Sequence, residues 1–233
     1  MDGNRFLRIA AKLAREATVA VKALKIYATP LSANGRKVLA VSRHLGLDPE
    51  IHDVNVYRGE GRSPEYLAIN PSGKIPTLVD GEFLLSESNA ILQYLAEAHG
   101  ANRLWSSESK QRARIAQWLF WESAHWQPTL IAFLSEVVGH RLLPERIPKP
   151  LHAPDWSSAR AQPILKTLQT GLSEAAFLAG PTETIADFAV AGMMTYFRAA
   201  DFPFTRFPKI AEWYARMESF ESWRGTQSPL WSQ

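Results

Sequence analysis

Ser32, Ala33, Asn34 and Gly35 put a hydroxyl and a side-chain amide two positions apart, directly ahead of an apolar helical pattern. A helix N-cap accounts for one such residue well and for two of them less well. Together with the helix N-terminus they form a set of donors that favours an anion, a thiolate included. The chain has no cysteine. Disulfides, thiolate metal sites and a cysteine nucleophile are therefore excluded, and any thiol chemistry must arrive with a ligand.

Glu87 and Ser88 stand at the entrance of a second helical pattern, "LLSESNAILQYLAEAHG". The hydroxyl and the first helical N–H groups suit a carboxylate, and Glu87 suits an ammonium, so the pair fits an amino-acid head group. An ordinary cap with an acidic first turn explains the same residues. In "NPSGKIPTL", residues 70–78, Asn70-Pro71-Ser72-Gly73 reads as a turn. Pro76 opens a strand, where it removes a ladder donor. A trans proline on an edge strand is what these residues alone predict. A cis Ile75–Pro76 bond would instead turn the Ile75 backbone outward, ready to pair with an extended peptide.

Thr184 and Asp187 have capping-box spacing before the apolar run "IADFAVAGMM". Asp187 is therefore read as a buried structural cap and not as a catalytic acid. His44, His52, His99, His125, His140 and His152 show no ligand spacing with one another or with acids, so no metal site is expected. In "WLFWESAHWQP", Trp121, His125 and Trp126 either line a pocket or pack in the core.

The elements that must hold these groups fall into two kinds. "LKIYA" and "EIHDVNVY" (50–57) alternate as strands around a helix over 34–45 that stops at Gly46. "RGEGRS" is a loop and "PEYLAIN" a short helix. "KIPTLVDGEFLLSES" gives two strands about Asp80-Gly81, and a helix follows over 87–98. The order is β-α-β-α-β-β-α, a mixed sheet covered by helices. From residue 109 only helical patterns appear, over about 109–138, 159–178, 186–199 and 208–219, with a Pro-rich connection at 142–156. An α/β domain over 24–101 is thus followed by an all-α domain over 109–228.

Of 233 residues, 46% are hydrophobic and 21% charged, an ordinary globular composition. No apolar run reaches the roughly 20 residues that span a bilayer. Arg5, Arg8, Lys12, Arg15, Lys22 and Lys25, against Asp2 and Glu16, give the first 25 residues +4 of a net +3. The rest carries −1, so a nucleic-acid partner is not expected. Residues 1–23 read as an extension of open role: a surface helix, an Arg-rich targeting segment without serine, or a segment outside the fold.

The stretches "YATPLSANGRKV", "NPSGKIPTL", "DGEFLLSESNAILQYL" and "ETIADFAVAGMM", in this order, resemble the cytosolic glutathione S-transferases over about residues 24–225. They look like the bacterial-type members with a serine or Thr/Asn active site. The resemblance implies a thioredoxin-like N-terminal domain and a helical bundle domain. It implies that Pro76 is cis, that Ile75 pairs with the cysteinyl part of glutathione, and that Glu87 and Ser88 hold its γ-glutamyl end. Lys74 would lie near the glycyl carboxylate, and Arg36 is either a further ligand residue or a solvated helix charge. Ser32 and Asn34 are the catalytic candidates, and Trp121, His125 and Trp126 would line the electrophile pocket. The implied activity is transfer of glutathione to a hydrophobic electrophile by a cytoplasmic, detoxifying homodimer with no cofactor beyond glutathione. A glutathione-dependent disulfide or peroxide reductase and a non-catalytic scaffold are the alternatives.

Overall fold

The computed structural model describes residues 24–231; the expectation for residues 1–23 lies outside the described residues. Strand β1 (Lys25–Ala28) alternates as its sequence does, with Ile26 and Ala28 fully buried. Helix α1 (Ala33–His44) comes next, with Ser32 as its N-cap. It ends where Gly46 adopts φ +74° and Leu47 N–H reaches back to Ser42 C=O, a closure that favours glycine at the left-handed position. Strand β2 (Glu50–Asp53) pairs parallel to β1, Lys25 opposite Glu50.

The expected strand 50–57 is shorter than its alternation suggests. Asn55 Oδ1 accepts from Arg58 N–H and caps a 3₁₀ turn over Val56–Arg58, so a side chain competes with the sheet for the backbone. A second 3₁₀ turn (Glu60–Arg62) and helix α2 (Pro64–Ile69) lead to Pro76, whose peptide bond with Ile75 is cis. Strands β3 (Thr77–Asp80) and β4 (Phe83–Ser86) are antiparallel, with Asp80 opposite Phe83 and Gly81 at φ +62° in the two-residue turn. The sheet order is β2-β1-β3-β4, and helix α3 (Ser88–His99) packs back on it.

From Ser109 onward the chain is built on helices. They are α4 (Ser109–Trp121), α5 (Gln127–Leu142), α6 (Gln162–Gly171), α7 (Ile185–Met194), α8 (Pro208–Ser219) and the short α9 (Glu221–Arg224). The single pattern expected over 109–138 is interrupted by a π turn over Glu122–Trp126. Pro128 lies just beyond it; its ring lacks an N–H and would clash with a carbonyl four residues back in a regular helix, so the ladder opens there.

One apolar core runs through both halves. Val38 and Val41 of α1 join Phe188 and Ile185 of α7 in it, all fully buried. Asp187 accepts from the N–H groups of Thr184 and Leu178, the Thr184 hydroxyl and Trp213 Nε1, and Thr184 completes the capping box of α7. Among the described residues no helix is long and apolar enough to cross a membrane.

Candidate functional site

The loop before α1 is set by a close backbone approach. A Cβ on Gly35 would collide with the Thr29 carbonyl, so only glycine lets α1 start this near β1. Ser32 is buried; its Oγ accepts a long bond (3.4 Å) from Gly35 N–H, which leaves its hydroxyl proton unspent. From the other half, Tyr196 Oη accepts from Ala33 N–H (2.9 Å) and donates to Leu31 C=O (3.2 Å). Trp231 Nε1 donates to the same carbonyl (3.2 Å). Ser32 is thus held on both sides by backbone bonds to the helical half.

Asn34, in the first turn of α1, meets α3. Ser88 Oγ donates to Asn34 Oδ1 (3.2 Å), so the amide oxygen is occupied and its N–H groups remain free. Glu87, the residue before α3, has φ +67°, a left-handed conformation that costs a non-glycine residue about 1–3 kcal/mol and tends to occur at functional sites. Its carboxylate is exposed beside the buried Ser88.

Two cavities meet here. The first, about 480 Å³, is lined by Asn34, Lys74, Ile75, Pro76, Glu87 and Ser88, with Phe120, Ser123 and Gln127 opposite. Among the described residues no hydrogen bond engages the Ile75 backbone, whereas the neighbouring Lys74 carbonyl accepts from Tyr66 Oη (2.6 Å) and Asn70 Nδ2 (2.8 Å). The second cavity, about 340 Å³, has aliphatic walls from Leu130, Leu134, Val138, Leu142 and Ile147, with Ser32 and Asn34 at one side. Asn34 and Gln127 line both. Chemically, the first cavity offers extended backbone, a helix N-terminus and charges of both signs. The second offers an apolar space at the mouth of a donor-rich loop.

The structure therefore brings Asn34, Lys74, Ile75, Pro76, Glu87 and Ser88 to one cavity and puts Ser32 in the adjoining wall. It does not bring Trp121, His125 and Trp126 there; they line neither cavity. Trp126 is fully buried, donates to Val190 C=O (3.0 Å) and stacks on Trp121 at 5.4 Å, while His125 faces outward. The π turn sets the direction of this segment, which a regular helical pattern does not foresee.

Arg36 lines neither of these cavities and is not a solvated charge. It is 1% exposed, donates to Thr195 Oγ1 and Trp223 C=O, and stacks over the Trp223 ring at 3.9 Å. Burial lowers its pKa. The cavity walls on α5 were legible only as an apolar stripe, Leu130, Leu134, Val138 and Leu142, which a core helix also shows. Among the described residues no group of His, Asp and Glu could hold a metal ion.

Comparison with known proteins gives one answer. Residues 26–103 match the model of the glutathione S-transferase N-terminal domain, and residues 155–216 that of the glutathione S-transferase C-terminal domain. The chain is 34% identical to glutathione S-transferase F10 of Arabidopsis thaliana over 168 residues, 71% of this chain and 77% of the relative. It is 34% identical to glutathione S-transferase 3 of Zea mays over 170 residues, 70% and 73% of the two chains. Among solved structures, a glutathione transferase of Bombyx mori superposes with a TM-score of 0.74 at 31% identity, covering 85% of this chain and 88% of the other.

Proposed function

The chain belongs to the glutathione S-transferase family, and from that membership we propose that the first cavity binds glutathione and the loop before α1 ionises its thiol. The activity is that of a glutathione transferase, and the thiolate attacks an apolar electrophile seated in the second cavity. The Ile75 N–H and C=O pair with the cysteinyl backbone as an added strand. Ser88 and the N-terminus of α3 take the γ-glutamyl carboxylate, Glu87 its ammonium, and Lys74 the glycyl carboxylate. The observation that carries this reading is Asn34 standing in the wall common to both cavities, with Ser32 beside it.

Ser32 is the principal donor to sulfur and Asn34 the second. A free thiol titrates near about 8.5. Lowering that by about two units needs roughly 2.7 kcal/mol of preference for the anion. A hydrogen bond to a charged group contributes about 1.5–3 kcal/mol and a helix N-terminus about 0.3–1. Two donors and the helix therefore suffice, and one donor alone falls near the margin.

The test is an ultraviolet titration of the glutathione complex that tracks thiolate absorbance across pH. The wild type should show a depressed thiol pKa. Ser32→Ala should raise it by about 1–2 units and lower transferase turnover, and Asn34→Ala should raise it less. Binding with an unshifted thiol would make the chain a carrier. A loss of disulfide reduction confined to Asn34→Ala would favour a reductase. No binding at all would sink the site.

The proposal includes a homodimer working in the cytoplasm to clear reactive electrophiles, with glutathione as its only co-substrate. Phe83 and Leu84 on the edge strand β4 are 47% and 44% exposed, and Phe120 on α4 is 73% exposed, apolar surface that a second copy would cover. Sedimentation equilibrium at micromolar concentration should give twice the chain mass; a monomer would refute the pairing.

A further inference from the structure

Arg36 follows Asn34 by two residues, about 200° around α1. Its side chain therefore leaves the helix on nearly the opposite side from the first cavity, and it lines a third one of about 500 Å³. Arg198, Tyr214, Glu218, Trp223 and Arg224 share that wall, so the cavity lies where α1, α8, α9 and the end of α7 meet. It has no lining residue in common with the other two cavities.

Three guanidinium groups and one carboxylate face this space. Glu218 is occupied by Arg198, whose Nη2 donates to both of its oxygens (2.8 and 2.9 Å). Arg224 donates from Nη1 to the carbonyls of Glu218 (2.9 Å) and Ser219 (2.6 Å), and its Nε and Nη2 are unused. Arg36 donates to the Thr195 hydroxyl and the Trp223 carbonyl. Among the described residues neither Arg36 nor Arg224 has a carboxylate partner. Two positive charges are thus uncompensated, one of them fully buried, where charges are ordinarily paired.

The donors around them are also incomplete. Arg36 Nε and Trp223 Nε1 are buried without a hydrogen bond. Both side chains are polar neighbours of the Tyr214 oxygen. The lone pairs of that oxygen face N–H groups, and among the described residues no acceptor takes its proton. Tyr214 is 4% exposed, so its hydroxyl is a buried donor directed to the cavity that it lines.

We propose that this third cavity is a binding site for a phosphate monoester in its dianionic form. Tyr214 Oη donates to one phosphate oxygen, the unused N–H groups of Arg224 donate to another, and Arg36 supplies positive charge from behind. A carboxylate would balance one of the two charges, whereas a phosphate monoester carries about −1.5 to −2 at pH 7. Guanidinium forks match its oxygens in geometry. A water molecule's share of volume is about 30 Å³, so the cavity holds far more than a bare phosphate. The esterified group lies against Met194 and Gln227.

The experiment is calorimetric titration at pH 8 of wild type, Arg224→Gln and Tyr214→Phe with phenyl phosphate, phenyl sulfate and inorganic phosphate. Wild type should bind one phenyl phosphate per chain with Kd below about 1 mM. Phenyl sulfate, of similar shape with a single charge, should bind about tenfold more weakly, and so should inorganic phosphate, which lacks the ester group. Each variant should lose about tenfold in affinity for phenyl phosphate, the low end for a hydrogen bond to a charged group. Arg224 is exposed, so Arg224→Gln carries the test even if Tyr214→Phe folds poorly. No binding to wild type, or phenyl sulfate bound as tightly as phenyl phosphate, would overturn the proposal. Wild-type affinity in Arg224→Gln would place the phosphate elsewhere, beside Lys74 for example, and would equally overturn it. Inorganic phosphate bound as tightly as the ester would overturn the assignment of a monoester.

Discussion

Ser32 and Asn34 share a device that neither residue type announces alone. In each, an acceptor lone pair is engaged while the donor hydrogen remains for a ligand. Gly35 N–H fixes the Ser32 lone pair, and Ser88 fixes the Asn34 oxygen. Bonds in series polarise one another, so each remaining donor is strengthened toward an anion. Asp187 shows the opposite disposition. All four of its donors converge on a carboxylate that is fully buried, with nothing left for a ligand. Burial raises its pKa from 3.8 to about 6 against the pull of those bonds. The folded chain therefore binds this proton more tightly than the unfolded chain between about pH 4 and pH 6. The stability from this group is complete below about pH 4 and is lost as pH rises through 6, a swing of roughly 3 kcal/mol. Urea midpoints of wild type and Asp187→Asn should thus converge or cross in wild type's disfavour as pH goes from 4 to 7. A difference that does not vary over this range would mean that Asp187 keeps an ordinary carboxylate pKa.

At the scale of elements, what the sequence displays is local and what it conceals is directional. The hairpin was legible because Asp80-Gly81 interrupts alternation, and the α7 cap because Thr184 and Asp187 sit three apart. The loop–helix junctions carrying Ser32 and Glu87 were legible for the same reason: polar residues next to an apolar period mark an N-terminus whatever the tertiary context. The cis bond at Pro76 was not legible from its neighbours. Only the resemblance of the whole arrangement pointed to it. The π turn was concealed because apolar period tolerates one extra residue, though Pro128 inside a long helical pattern was a usable sign. That unforeseen turn sends Trp126 into the core, one of the two alternatives the sequence left open, keeps Trp121 and His125 out of both cavities, and brings Gln127 to both. Arg36 was misread because a cation on a helix is ordinarily solvated, and only the packing of α9 against α1 supplies the Trp223 ring and carbonyl that receive it.

At the scale of the whole molecule, the two halves are joined by a buried ion pair. Lys37 on α1 and Glu122 in the π turn are each 1% exposed at the side chain and 3.2 Å apart. Asn89 on α3 bridges them, accepting from Lys37 (2.9 Å) and donating to Glu122 (2.9 Å). Burial lowers the Lys37 pKa, and Glu122 works against that shift. Such a pair returns little net stability over an apolar replacement, because desolvation consumes most of the Coulomb gain. Its value here is register. Asn34 lies one turn before Lys37, Asn89 itself lines the first cavity beside Ser88, and Ser123 adjoins Glu122, so the network stands in or directly behind the wall of that cavity. Lys37→Met alone should cost about 3–5 kcal/mol in urea unfolding, since it strands a buried carboxylate. Lys37→Met with Glu122→Leu should recover most of that loss. If the network sets register, the double variant should nevertheless bind glutathione about tenfold more weakly, as three helices lose the contact that indexes them, at a cost near 1.4 kcal/mol. A double variant as unstable as the single one would show that the pair itself stabilises the fold. One that binds glutathione as tightly as wild type would show that packing alone holds the cavity in shape.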